Sequence, residues 1–106
     1  MAVDPSQACG VRWVHVFEED TPAGEVYRPE SLDIPLSRRP RRRFELRQDG
    51  SATLFTSGPD DRYVGRAGAW HADDAALAVL FPTARDEPAV RFRVTEASRT
   101  RLLVTT

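Results

Sequence analysis

The sequence predicts an all-β fold, an antiparallel meander of about eight strands that closes, or nearly closes, into a β-barrel. Short apolar runs alternate with turn residues along most of the chain, a spacing typical of consecutive antiparallel strands. No segment carries the apolar period of a long helix. A curled sheet of about eight strands can remove its exposed edges by closing on itself.

The first two strands are expected at residues 11–17 and 25–28. β-Branched and aromatic residues fill the first of these segments. Because side chains alternate along a strand, Trp13 and His15 would share one face. Residues 18–24 between the two strands form a polar turn.

A proline-containing loop is expected at residues 29–43. Proline supplies no N–H to a sheet and disfavours helix at the residue before it, so this segment should cross the surface or one end of the sheet. It ends in Arg38–Arg43, with five positive charges in six residues.

The clearest hairpin lies at Asp49–Gly50, since this dipeptide tolerates the positive φ angles of a tight turn. It joins strands expected at residues 44–46 and 52–56. The next strand contains Gly65 and Gly68, which indicate a bulge or a close approach of two backbones.

The run at residues 73–81 fits two structures. Asp73 could cap a short helix that stops at Pro82, or a turn at Asp73–Asp74 could lead into a buried strand. The strand is favoured, because a helix this short is marginal alone and its neighbours are strands.

Two further strands complete the predicted sheet. Apolar and polar residues alternate at residues 90–94, which predicts a strand with one solvent-exposed face. Residues 101–105 are expected to form the last strand. The apolar residues expected in the core are Phe44, Leu46, Leu54, Trp70, Leu77, Val79, Phe92 and Val94.

Composition favours one soluble domain. The chain has 106 residues and a net charge of −1, which gives no global attraction to nucleic acid or to an anionic membrane. Residues 1–9 lack periodicity and are expected to be a loose arm, leaving residues 10–106 as a single barrel domain. All fifteen basic residues are arginine, a bias typical of a GC-rich bacterial genome, and this excludes lysine Schiff-base chemistry.

The expected cellular compartment follows from three features that the sequence lacks: a membrane span, a signal peptide and paired cysteines. No apolar stretch approaches the ~20 residues of a membrane span, and Met1–Pro5 has neither the basic flank nor the apolar segment of a signal peptide. Cys9 is the single cysteine, so no internal disulfide framework exists. We therefore expect a cytoplasmic protein without a membrane partner; a homo-oligomer is compatible with the sequence.

Several residues carry a resemblance to a known group. They are the first-strand run Gly10-Val11-Arg12-Trp13, then Phe44 and Leu46 with the Asp49–Gly50 turn, and finally Gly68-Ala69-Trp70. From residue 10 to about residue 81 the chain resembles small bacterial members of the lipocalin-like, or calycin, β-barrel group. The resemblance implies an antiparallel barrel that holds a small apolar molecule.

The expected function is therefore the binding of a small apolar molecule. An eight-stranded barrel is wide enough to enclose one small ligand. We expect a small pocket lined by Trp13, His15, Tyr27 and Tyr63, open at the end nearest the 29–43 loop, because a buried imidazole needs a polar partner.

Two alternatives come from other classes of protein. His15 could serve acid–base chemistry such as a cyclisation or isomerisation, with candidate partners Tyr27, Tyr63, Arg28 and Arg66. Alternatively, a solid barrel could bind other proteins through the arginines of Arg38–Arg43.

Other chemistry finds little support in the sequence. A metal site would need His15 and His71 to converge with carboxylates, for which the candidates are Glu18, Glu19, Asp73 and Asp74. Nothing in the spacing shows that convergence, so no metal is expected. No dinucleotide or phosphate-binding motif appears, so no cofactor is expected. Arg38–Arg43 should give only salt-sensitive attraction to nucleic acid, without sequence specificity, and Cys9 should be an inert thiol.

Overall fold

Eight antiparallel strands form a closed barrel, which confirms the all-β prediction and is consistent with a lipocalin-like barrel. The computed structural model describes residues 3–32, 34–38, 40–57, 63–83 and 87–106. The described helical segments are a short helix, α1, at Pro5–Ala8 and a 3₁₀ turn at Phe17–Glu19, and neither approaches the length needed to cross a bilayer. The strands are β1 (Arg12–His15), β2 (Glu25–Pro29), β3 (Arg43–Leu46), β4 (Ser51–Ser57), β5 (Tyr63–Asp73), β6 (Ala76–Phe81), β7 (Val90–Ala97) and β8 (Leu102–Thr105).

The barrel is a meander from β3 to β8, and the β1–β2 hairpin is inserted between its two ends. β1 pairs with β2 and with β3, while β2 pairs with β8. The connection between β2 and β3 therefore begins beside the start of β1 and ends beside its last residue. At its start the Glu30 N–H donates to the Arg12 carbonyl (2.8 Å), and at its end the Arg42 carbonyl accepts from the His15 N–H (2.9 Å).

Residues that tolerate positive φ angles form the turns of two hairpins. Between β3 and β4, Gly50 takes a φ of +88° and the Asp49 carboxylate accepts from the Ser51 N–H at 2.9 Å, as expected of an Asp-Gly turn. Hydrogen bonds from Ser51 lower the pKa of Asp49. Between β5 and β6, Asp74 adopts a φ of +54°. The segment after it is β6, which confirms the strand rather than the helix.

Aromatic rings in contact run through the barrel interior. The ring centroids of Tyr27 and Phe44 lie 5.0 Å apart, those of Phe44 and Phe92 4.9 Å, and those of Phe92 and Phe81 6.0 Å. The predicted core residues are buried except Trp70, which is half-buried and donates its indole N–H to the Arg47 carbonyl (2.7 Å). Core packing by large side chains thus accounts for the barrel interior that the structure describes.

Close approach of backbones is confirmed at Gly68. A Cβ placed there would overlap both the Phe81 ring and the Leu80 carbonyl oxygen of the neighbouring strand. β5 and β6 can pack at this distance only because Gly68 has no side chain.

The chain before β1 differs from the loose arm predicted at residues 1–9. In the described part, residues 3–9, Asp4 caps α1 by accepting from the Ser6 N–H at 3.0 Å. Ala8 and Cys9 are buried against the barrel, and the Val3 N–H donates to the Ala75 carbonyl at 2.9 Å. This segment covers one end of the barrel because its apolar residues complete the core there. Burial also raises the pKa of the Cys9 thiol.

Candidate functional site beside His15

His15 ends β1 at the barrel end opposite α1, and only 8% of the residue is exposed. Its ring nitrogen Nε2 lies 3.0 Å from Oδ1 and 3.1 Å from Oδ2 of Asp20. The same nitrogen lies 3.9 Å from Oε2 of Glu25. One ligand atom from each of these three side chains falls within 4.8 Å of the others.

Asp20 reaches His15 because the chain reverses sharply after β1. The 3₁₀ turn is followed by a second tight turn, in which Thr21 and Gly24 exchange backbone hydrogen bonds of 3.0 and 3.1 Å. A Cβ on Gly24 would lie 2.5 Å from the Val104 carbonyl oxygen, so this turn can lie against β8 only with glycine. The Val26 N–H then donates to Oδ1 of Asp20 at 3.0 Å, which fixes the carboxylate in place.

Tyr27 forms the inner wall of the site. It pairs with His15 across β1 and β2, and the two rings stack at 5.0 Å with an interplanar angle of 21°. The side chain is fully buried, and its hydroxyl has no hydrogen-bond partner among the described residues. Burial raises the pKa of Tyr27, and the Glu25 carboxylate raises it further. The Arg42 guanidinium acts in the opposite direction, although no hydrogen bond from Arg42 to the Tyr27 hydroxyl meets the usual geometry.

Glu25 carries a second unpaired atom at the same place. Its Oε1 is buried and has no hydrogen-bond partner among the described residues, although about a third of the side chain is exposed. We refer to His15, Asp20, Glu25 and Tyr27 as the His15 cluster.

Arg41 holds the outer side of the cluster in place. Its guanidinium donates to the His15 carbonyl at 3.0 Å, to the Pro35 carbonyl at 2.9 Å, and to both carboxylate oxygens of Glu18 at 2.8 and 2.7 Å. It also stacks over the Phe17 ring at 4.4 Å. The hydrogen bond from Arg41 lowers the pKa of Glu18 to about 2, and the same bond raises the pKa of Arg41.

The arginine cluster at residues 38–43 is therefore divided in its roles. Arg41 is buried and bound within the fold, and Arg43 contacts the Glu30 carboxylate at 3.4 Å. Arg38 and Arg42 are exposed, and Arg39 lies outside the described residues. Only part of the predicted interaction surface thus remains available to a partner.

Of the four residues predicted to line a pocket, the structure brings His15 and Tyr27 together. Trp13 is fully buried, but its indole N–H donates to the Ala8 carbonyl of α1 at 2.8 Å, toward the opposite end of the barrel. Tyr63 begins β5, and its side chain lies outside what the structure describes.

Two of the other partners that the sequence suggested for His15, Arg28 and Arg66, make their contacts elsewhere. Arg28 pairs with Glu19 at 2.6 Å, and Arg66 donates to the Pro88 carbonyl at 2.8 Å. His71 is exposed on β5, which β3 and β4 separate from β1 around the barrel. Sequence analysis missed Asp20 and Glu25. One available signal was register: Glu25 lies two residues before Tyr27 and so on the same face of β2, diagonal to His15.

Comparison of the chain with protein-family models, with curated proteins and with solved structures finds no match.

Proposed function

We propose that this protein is a lipocalin-like binding module that holds a small cationic ligand in the His15 cluster. One observation carries the proposal: two carboxylates converge on one imidazole, with a ligand atom of each within 4.8 Å of the others, beside a buried hydroxyl that has no partner among the described residues. Buried polar atoms normally have partners, and an unpaired one costs about 1–3 kcal/mol. A bound ligand would supply the missing interactions.

The charge of the site favours a cation. Asp20 and Glu25 bring two carboxylates to one place against a single imidazole. Partial burial strengthens such an attraction relative to water, because the effective dielectric constant is lower. Of the arginines beside the cluster, Arg41 is engaged by Glu18, whereas the positive charge of Arg42 acts on Tyr27.

An apolar ligand in the barrel interior has less support. The rings from Tyr27 to Phe81 contact one another in series, and Trp13 is fully buried against α1. These ring contacts lie in the interior where the apolar molecule was expected. The proposal therefore places the ligand at the His15 end of the barrel.

Three probes with the same benzyl group would test which charge the site prefers in a ligand. Benzylamine, benzyl alcohol and phenylacetate share a benzyl group and differ in charge. In a titration followed by the ring C–H resonances of the two histidines, benzylamine should shift His15 saturably, and His71 should report any non-specific effect. Equal responses to all three probes, or equal shifts at both histidines, would contradict the proposal.

Variants locate the binding to the cluster. Asp20→Asn keeps an oxygen that can accept from the Val26 N–H, and Glu25→Gln keeps the size of the side chain. Both should weaken benzylamine binding, because each removes one negative charge. Asp73→Asn is the matched control, since that carboxylate pairs with Arg93 on β7 at 2.8 Å.

A second candidate function is acid–base catalysis, favoured by the contact of Asp20 with Nε2 of His15. A carboxylate in this position orients an imidazole and stabilises its protonated form. The test is incubation with a panel of small enones and epoxides that can isomerise or cyclise. Product formation that is lost in His15→Gln and retained in His71→Gln would support catalysis, and no turnover by wild type would count against it.

A further inference from the structure

We propose that the His15 cluster is a site for a divalent transition-metal ion of the zinc class, with His15 Nε2 and one oxygen each from Asp20 and Glu25 as ligands. The inference rests on the proposed function, because it names the cation that the same site would take.

The donor set suits this class of ion. Zinc is bound by imidazole nitrogen and carboxylate oxygen, and sites with three protein ligands leave a fourth position for water or a ligand. One imidazole with two carboxylates is such a set. Magnesium and calcium prefer oxygen donors alone, so the imidazole argues against them.

The spacing also suits a bound ion. Two ligands held about 2.0–2.2 Å from a tetrahedral zinc lie roughly 3.3–3.5 Å apart. In the structure, Nε2 of His15 lies 3.1 Å from Oδ2 of Asp20 and 3.9 Å from Oε2 of Glu25. These two separations lie on either side of the required value, and the three ligand atoms all fall within 4.8 Å of one another, so the two carboxylates would need to close around the ion as it binds.

Neighbouring contacts hold the ligands in orientation. Asp20 accepts from the Val26 N–H through Oδ1, which leaves Oδ2 to approach the ion. The His15 ring stacks on Tyr27, and its backbone carbonyl accepts from Arg41. Contacts of this kind around metal ligands raise affinity by fixing geometry before the ion binds.

Tyr27 provides an independent observation. It is fully buried against the His15 ring, and its hydroxyl has no hydrogen-bond partner among the described residues. A phenol hydroxyl can donate a hydrogen bond, so a water in the fourth position would offer it a partner. A simple ion pair between His15 and Asp20 explains their contact but leaves the Tyr27 hydroxyl and the buried oxygen of Glu25 unexplained.

Zinc chloride titrated into the chelator-treated full chain, followed by calorimetry, tests the inference. Wild type should bind one ion per chain saturably. His15→Gln and Glu25→Gln should each weaken binding by at least about 10-fold, since the loss of even an outer contact typically costs that much. His71→Gln, which changes the other histidine, and Asp73→Asn should bind as wild type does. Cobalt(II) should give the visible absorption of a tetrahedral N/O site in wild type and lose it in Glu25→Gln.

Two results would overturn the inference: folded wild type that binds no zinc saturably, or zinc binding that survives both His15→Gln and Glu25→Gln. Glu25→Gln keeps the test valid if His15→Gln fails to fold. Benzylamine titrated in the presence of EDTA separates the two proposals. If benzylamine binds while zinc does not, the metal inference fails and the proposed function stands; if zinc binds while benzylamine does not, the metal inference stands and the benzylamine test counts against a site for organic cations.

Discussion

Replacing Arg41 by methionine should lower the free energy of unfolding by about 1–5 kcal/mol. The side chain is 4% exposed and donates to two backbone carbonyls, those of His15 and Pro35. Hydrogen bonds from a charged donor contribute about 1.5–3 kcal/mol each, or roughly 3–6 kcal/mol for both. Methionine keeps the apolar stem against Phe17 and removes the cost of burying a guanidinium, which offsets about 1–2 kcal/mol.

Urea unfolding followed by the fluorescence of the buried Trp13 measures this loss. With a slope of about 1–3 kcal/mol per molar urea, the midpoint should fall by about 1–2 M while the slope stays constant. Arg38→Met is the matched control: it changes an exposed arginine of the same loop and should alter stability by no more than about 0.5 kcal/mol. If the two variants unfold at the same urea concentration, Arg41 does not hold the loop against the barrel.

Three further predictions concern acid, packing and surface charge. Because Arg41 lowers the pKa of Glu18 from 4.5 to about 2, the stability from this pair is present above about pH 4.5 and lost as the pH falls toward 2; urea midpoints of wild type and Glu18→Gln should differ at neutral pH and converge near pH 2. Phe92→Ala should cost about 3–5 kcal/mol and Gly68→Ala about 1–3 kcal/mol from overpacking, both measurable by urea unfolding, and values near zero would contradict the packing described above. In a filter-binding assay, wild type should bind nucleic acid only weakly and in a salt-sensitive way, and changing Arg38 and Arg42 together to serine should reduce this weak binding. Sub-micromolar binding of wild type to one defined duplex at physiological salt, abolished by the double change, would contradict this.

Local patterns in the sequence predict the fold well, because each rests on neighbouring residues. The Asp49–Gly50 turn and the alternation at residues 90–94 needed no knowledge of distant contacts, and both are confirmed. The insertion of the β1–β2 hairpin between β3 and β8 could not be read this way. It depends on where the 30–42 connection lies in space, which no local pattern encodes.

The candidate site shows the same limit more sharply. His15 was identified from its place on a strand. Its contact with Asp20, five residues later, depends on two consecutive tight turns that bring the chain back beside the His15 ring. Small differences in turn geometry would send that carboxylate into solvent. The burial of Ala8 and Cys9 was missed for a related reason, since they are covered by a barrel end that only the complete fold creates.

The seam between β2 and β8 has a consequence for how the barrel folds during synthesis. Val26 pairs with Leu103, so β2, which is synthesised early, lacks this pairing partner until β8 has been synthesised. Until Leu102–Thr105 leave the ribosome, β2 and β7 each present an open edge to other chains. Contacts between residues so distant in sequence also form slowly, because the entropy of closing a long loop opposes them. Nascent chains should therefore depend on chaperones most strongly until Leu102–Thr105 have emerged and closed the barrel.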